Sequence, residues 1–117
     1  MKLNIMGTEY DVIQRTDKEN PKLYDANGLT ELYSKQIIIR TGYEADLCSF
    51  DNIMGFKEKV FRHEVFHALF HECGLDNYSN DETLVDFLAL QYPKIQAIMN
   101  AGDIVFTEVC LCNNEKD

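Results

Sequence analysis

The stretch RHEVFHALFHEC, residues 62–73, decides how the rest of the chain is interpreted. It contains the pattern HExxH, formed by His63, Glu64 and His67. On a helix, side chains four residues apart lie on one face, so the two imidazoles would point into one small volume. Glu64, turned by about 100° from His63, would stand beside that volume. Two histidine ligands and a neighbouring carboxylate base are what a zinc hydrolase needs, so the pattern predicts a zinc site.

The helix that carries this pattern is predicted to be the central helix of a small domain. We expect it to begin at about Asp51 or Gly55 and to end at Cys73, with Gly74 as its stop. Residues along it recur with the three- and four-residue spacing of one buried stripe. The members of this predicted stripe are Phe56, Val60, His63, His67 and Phe70.

The segments before this helix predict strands. Residues 2–6 and 10–14 are expected to form a β-hairpin or two successive strands, and residues 16–27 a loop. Residues 36–40 read QIIIR, which is the strongest strand signal in the chain because three successive β-branched side chains favour a pleated backbone. Residues 41–52 are expected to connect this strand to the helix.

The segments after the helix predict two more helices and a strand. A loop over residues 75–80 leads to a second helix over residues 81–92, which should end near Pro93 because proline disfavours helix in the residue before it. A third, shorter helix is predicted over residues 93–100, and a last strand over residues 104–109. A length of 117 residues supports one domain, residues 1–117, with one core.

The charge of the chain argues against several partners. The formal net charge is −9, and nucleic-acid binding through phosphates needs a basic surface, so we expect no nucleic-acid partner. The first twenty residues lack a continuous apolar run, and no window approaches the roughly 20 apolar residues of a membrane span. We therefore expect a cytoplasmic protein with no membrane partner.

The four cysteines do not form a strong motif. Cys48, Cys73, Cys110 and Cys112 are expected to be free thiols in a reducing compartment. Cys110 and Cys112 form a CxC pair, which could contribute to a metal site. Two cysteines without a second pair are a weak signal, and alternate residues of a strand or tail are the simpler interpretation.

A zinc hydrolase needs a third protein ligand besides His63 and His67. The best candidate is Glu82, on the predicted second helix. Asp86 follows one turn later on the same face, where it could accept a hydrogen bond from the non-ligating nitrogen of a zinc histidine. A loop over residues 74–80 would let the two helices fold back and face each other.

Alternatives to this ligand set remain open. Residues 79–82 fit the S-x-x-E capping box, in which Glu82 would bond back to the Ser79 amide; Asn80 as the cap would free Glu82. His71 is a rival ligand, but it lies about 80° round the helix from His63, and one straight helix cannot easily aim three such rings at one metal. Asp86 could be a plain solvent-facing acid.

HExxH followed by ExxxD on the next helix is the gluzincin pattern of zinc metallopeptidases. More closely, RHEVFHALFHECGL with DETLVDFLALQYPKI resembles small phage- and prophage-encoded zinc peptidases related to the ImmA/IrrE class. The resemblance covers residues 62–95, and the strand at residues 36–40 fits the strand expected before the active-site helix.

The resemblance implies an α+β fold of minimal zincin-like type, in which a small antiparallel β-sheet packs on the HExxH helix and on a second, glutamate-bearing helix. It also implies that His63, His67 and Glu82 bind Zn²⁺ and that Glu64 is the general base. Such a protein would be a phage-encoded metallopeptidase in the cytoplasm of a bacterial host, acting on a peptide or protein.

Two functional hypotheses follow. In the first, a substrate peptide adds to the edge strand near residues 33–40, and Glu64 activates a water beside the zinc. In the second, the site binds zinc without catalysis and serves a structural or protein-interaction module, since a metal contributes folding energy in small domains.

Overall fold

The computed structural model describes residues 1–43 and 52–109 and has a mixed α+β fold within them. Most of the predicted connection over residues 41–52 and three of the cysteines, Cys48, Cys110 and Cys112, lie outside these ranges. The strands are β1 (Lys2–Ile5), β2 (Thr8–Arg15), β3 (Gly28–Glu31) and β4 (Gln36–Arg40). The helices are α1 (Ile53–Glu72), α2 (Asp76–Ser79) and α3 (Glu82–Ala101), with a 3₁₀ helix over Pro21–Tyr24.

The four strands form one mixed sheet in the order β1-β2-β4-β3. β1 and β2 form a hairpin whose two turn residues, Met6 and Gly7, both have positive φ, as a type I′ turn requires. The β3–β4 pair is antiparallel, whereas β2 and β4 run parallel. The prediction of an antiparallel sheet is therefore wrong for the central pair, β2 and β4. These two strands are parallel because the chain first forms β3 at the edge and then returns to place β4 beside β2.

The same topology corrects the predicted edge strand. β4 lies inside the sheet, and all three of its isoleucines, Ile37, Ile38 and Ile39, are buried. A strand covered on both faces is expected to read as a continuous apolar run. The edge strand next to β4 is β3 (Gly28–Glu31), so the prediction of an edge strand at residues 33–40 is wrong.

α1 packs across one face of the sheet. The core beneath it includes Tyr10 and Ile37, and the buried side chains of α1 are Val60, Glu64 and Ala68. The predicted buried stripe is thus wrong at the two histidines. The buried face of the helix contains Glu64 instead, and His63 and His67 lie half-buried on its flank. The helix is apolar around much of its girth, so spacing alone could not tell the sheet face from the face that meets α2 and α3.

Local signals set both ends of α1 close to the predicted bounds. The Asn52 side chain caps the first turn by accepting a hydrogen bond from the Gly55 amide, 2.9 Å away. Gly74 has φ +75°, and the next amide, of Leu75, donates to the Phe70 carbonyl. This is the Schellman arrangement, in which glycine accepts the left-handed conformation without a side-chain clash.

α3 does not end at Pro93. The predicted second and third helices form one helix, and Pro93 lies inside it. Proline has no N–H for the Ala89 carbonyl, but the Nε of Arg62 donates to that oxygen at 2.7 Å. A side chain of α1 therefore satisfies the acceptor that the proline leaves free.

The predicted strand at residues 104–109 is also wrong. These residues form no strand, and the side chains of Val105 and Phe106 are 88% and 84% exposed. The predicted loop over residues 75–80 contains the short helix α2. No helix in the described ranges is both long enough and apolar enough to cross a lipid bilayer.

Candidate metal centre

The turn from α1 through α2 into α3 brings three predicted ligands together. His63 and His67 lie on the flank of α1, and Glu82 is the first residue of α3. The two histidine Nε2 atoms are 3.1 Å apart. The Glu82 carboxylate lies 3.0 Å from His63 Nε2 and 3.1 Å from His67 Nε2. Among the described residues, these three form a group that could hold a metal ion, with one donor atom each and all within 4.8 Å of one another.

Hydrogen bonds on the far side of each ring fix the histidine tautomers. His67 Nδ1 lies 2.5 Å from the carbonyl oxygen of Ser79, which can only accept, so this nitrogen carries the proton. His63 Nδ1 lies 3.3 Å from Oδ1 of Asp86, which accepts in the same way. Both Nε2 atoms therefore present lone pairs to the space that they share with Glu82.

This arrangement fits a divalent cation. Two nitrogen lone pairs and a carboxylate at contact distance repel one another unless a positive charge lies between them. Ligands at about 2.0–2.1 Å from a tetrahedral ion are separated by about 3.3 Å, close to the spacing of the three donors. Two imidazoles and one carboxylate suit Zn²⁺, and they also suit other first-row divalent ions.

The capping alternative for Glu82 is not what the structure adopts. Asp81 caps α3, because its carboxylate accepts a hydrogen bond from the Leu84 amide at 3.1 Å. The Ser79 hydroxyl donates instead to the His67 carbonyl at 2.8 Å. The Glu82 carboxylate is thus left to face the histidines, and its side chain is 69% exposed.

His71 lies away from the group of donors. Its Nδ1 is 2.8 Å from Oδ1 of Asp76, at the start of α2, and its ring meets Tyr33 edge-on. The helical offset of about 80° from His63 explains the separation. Asp76 rather than a shared metal is therefore its partner.

Glu64 is 7% exposed and lies between α1 and the edge strand β3. The Thr30 hydroxyl is 2.8 Å from Glu64 Oε1 and 3.0 Å from the Glu64 main-chain oxygen. Burial raises the pKa of the Glu64 carboxyl, and the hydrogen bond from Thr30 opposes that rise in part. A carboxylate with little hydration beside the candidate metal position is a suitable proton acceptor.

Asp86 stands behind His63 and also binds a lysine. Its carboxylate accepts a hydrogen bond from Lys59 of α1, and this bond lowers the pKa of Asp86. The acid is consequently held in its charged form while it faces His63 Nδ1. This geometry is what the predicted role behind a ligand requires, and the side chain is not simply directed at solvent.

Two cavities flank the site along β3. The larger, of about 410 Å³, and the smaller, of about 230 Å³, share three lining residues: Gly28, His63 and Glu64. The larger continues over β3 towards Leu32, Ser79 and Asn80, and Glu82 lies in its wall. The smaller continues towards Asn27, Phe56, Lys59, Val60 and Asp86. Together the two cavities form a groove beside the edge strand; the three candidate ligands line its larger part, which meets the smaller part at Gly28, His63 and Glu64.

Several residues of the site were not predicted. Thr30 and Gly28 belong to β3, which lies far from the HExxH helix in sequence and has no motif of its own. The sequence indicates Ser79 only as a candidate helix cap, although its carbonyl orients His67. The turn composition around Gly28 was the one available signal, and it indicated only the end of a loop.

Comparisons with protein-family models, curated proteins and solved structures found no match to this chain. The interpretation of the site therefore depends on its own geometry and on the sequence motif.

Proposed function

We propose that this protein is a zinc-dependent peptide hydrolase of the gluzincin type. The observation that carries the proposal is that Nε2 of His63, Nε2 of His67 and the Glu82 carboxylate converge, with the buried Glu64 carboxylate beside them. Three protein donors among the described residues leave a fourth tetrahedral position for water or substrate, as in catalytic zinc sites. The resemblance to small phage-encoded zinc peptidases supports the same assignment.

In this proposal each residue of the site has a distinct role in hydrolysis. A bound zinc ion would act as a Lewis acid on the substrate carbonyl and would acidify a water molecule. Glu64 accepts a proton at its carboxylate and later delivers it to the leaving amine. Asp86 and the Ser79 carbonyl keep the two imidazoles in the ligating tautomer.

The substrate would lie along β3. This strand is an edge of the sheet, so its outward main-chain groups can pair with an extended peptide. The groove formed by the two cavities follows the same edge on both sides of Glu64. A peptide bound there would extend past the site in both directions, which favours cleavage within a chain over removal of a terminal residue.

The substitution Glu64→Gln tests the proposal. The zinc-loaded wild type should cleave members of a pool of unstructured peptides analysed by mass spectrometry. Glu64→Gln should keep one zinc per chain but lose roughly 10²–10⁴-fold in rate, because the amide cannot accept the proton. Glu58→Gln makes the same chemical change on an exposed part of α1 and should behave as the wild type does.

Three results would contradict the assignment. Loss of zinc from Glu64→Gln would mean that Glu64 is a ligand and not the base. Full activity in Glu64→Gln would mean that another group accepts the proton. A wild type that binds zinc and cleaves nothing in the pool would favour the non-catalytic zinc module.

A further inference from the structure

We infer that Thr30 is a positioning residue for Glu64 and that it aligns the base with the strand on which a substrate would lie. This inference rests on the proposed function. Its starting point is that one hydroxyl, on an edge strand, lies within hydrogen-bond distance of both the side chain and the main chain of Glu64. In the described part of the chain, this hydrogen bond to the buried carboxylate comes from another element of the fold.

The two contacts of Thr30 act on the same residue. A hydroxyl has one proton, so it donates at any moment either to Oε1 of Glu64 or to its main-chain oxygen. Either bond ties Glu64 to β3. Because threonine is β-branched, its χ1 angle is stiff, and the direction of the hydroxyl is set by the strand.

Gly28 confines Glu64 from the same strand. A Cβ atom at residue 28 would lie 2.9 Å from Cγ of Glu64 and 2.9 Å from Cγ1 of Val60, closer than real contacts allow. Residues 28 and 30 share a face of β3, because side chains alternate along a strand. The backbone at Gly28 and the hydroxyl of Thr30 thus hold the Glu64 side chain between them, against the flank that carries the histidines.

The consequence for catalysis follows from where β3 lies. A peptide paired with this edge would take its register from the main chain of β3, and the base would take its position from Thr30 in the same strand. The distance between the base and the bond to be cleaved would then be fixed by one element. A base displaced by about 1 Å can lose on the order of 10²-fold in rate even when the substrate binds normally.

The test compares Thr30→Val, which removes the hydroxyl at nearly constant shape, with Thr30→Ser, which keeps it. Crystal structures of the zinc-loaded variants should show the Glu64 carboxylate displaced in Thr30→Val and in its original position in Thr30→Ser. With a peptide that the wild type cleaves, Thr30→Val should lose on the order of 10–100-fold in kcat with KM nearly unchanged. Thr30→Ser should restore most of the rate, and Thr83→Val, an exposed threonine on α3, should match the wild type in both measurements.

The structural measurement tests the inference even if the kinetic measurement shows that the proposed function is wrong. If the wild type cleaves no peptide, the proposed function fails, and the crystal structures still decide whether Thr30 positions Glu64. An unchanged carboxylate in Thr30→Val would overturn the inference, as would a Thr30→Ser variant as slow as Thr30→Val. Should Thr30→Val not fold, Thr30→Ala provides the second variant, since it removes the same hydroxyl with less added volume; an undisplaced Glu64 carboxylate there would equally overturn the inference.

Discussion

The middle and the end of α1 each direct a glutamate towards the sheet, and the two carboxylates have opposite properties. Glu64 is 7% exposed, and within residues 1–43 and 52–109 one side chain, the Thr30 hydroxyl, donates to its carboxylate. Burial raises its pKa. The Glu72 side chain is 12% exposed, but it accepts from three side chains: Lys35, Tyr10 and Thr8. These bonds, led by the one from Lys35, lower the pKa of Glu72 to about 2.

The comparison shows that burial and the number of donors together decide what a carboxylate on this helix can do, since burial leads the raised pKa of Glu64 and hydrogen bonds lead the lowered pKa of Glu72. A carboxylate that has lost water and gained few donors holds a proton readily, which a general base must do. A carboxylate saturated with donors stays charged and ties the elements around it together. Glu72 anchors α1 to β2 and to the turn before β4.

The largest effect on stability is expected from Glu72→Ala. This change removes the acceptor of three hydrogen bonds and leaves the hydroxyl of Tyr10, a fully buried residue, without its partner. We expect the free energy of unfolding to fall by about 2–4 kcal/mol, measured by urea denaturation. Glu58→Ala, at an exposed position of the same helix, should change it by less than about 0.5 kcal/mol.

Zinc binding shows whether Glu72 acts on stability alone or also on the candidate site. The donors of the candidate site lie at the middle of α1 and at the start of α3, so folded Glu72→Ala should still bind one zinc per chain. A variant that keeps its stability but loses its metal would show that Glu72 belongs to the site and would remove the contrast between the two glutamates.

An acid-dependent part of the stability is expected from the same residue. The folded pKa of Glu72, about 2, lies below its ordinary value of 4.5. A lowered folded pKa contributes stability that is present above the ordinary value and is lost as the pH falls towards the folded value. The metal-free wild type should therefore lose stability between about pH 4.5 and pH 2.

Glu72→Gln is the matched variant for the acid measurement, because it cannot titrate but keeps a similar shape. Its free energy of unfolding, measured with urea in the same metal-free buffers, should fall less steeply over that pH range. Equal slopes for the two proteins would show that other carboxylates account for the acid sensitivity.

Local signals explain which parts of the fold and site could be predicted. Asn52 and Gly74 set the ends of α1 through bonds to residues within a few positions. The pairing of His63 with His67 follows from helix geometry alone. A short connection into α3 was enough to predict that Glu82 could reach them.

The features that could not be predicted depend on residues distant in sequence. The parallel pairing of β2 with β4 places β3 at the edge of the sheet, and no local sequence pattern predicts that strand order. Pro93 continues a helix because Arg62, from another helix, bonds the carbonyl that it leaves free. The donor to Glu64 comes from Thr30, 34 residues earlier in the chain.

The smallest effect is expected from Lys35→Met. This variant separates the contribution of the ion pair at Glu72 from that of the other hydrogen bonds to the same carboxylate. The Lys35 side chain is 35% exposed, and Nζ is 2.8 Å from Glu72 Oε2. Partly exposed ion pairs contribute about 0.2–1 kcal/mol, and Tyr10 and Thr8 would remain bonded to the carboxylate. Lys35 has φ +59°, and methionine carries the same backbone strain there as lysine, so the comparison is not complicated by the turn.

The result should differ between neutral and acid pH. At pH 7 the free energy of unfolding should fall by less than about 1 kcal/mol. In acid, the loss of stability should begin at a higher pH than in the wild type, since the bond from Lys35 is the largest cause of the lowered Glu72 pKa. A loss at pH 7 as large as that of Glu72→Ala would mean that the ion pair, and not the buried hydroxyl of Tyr10, makes Glu72 an anchor.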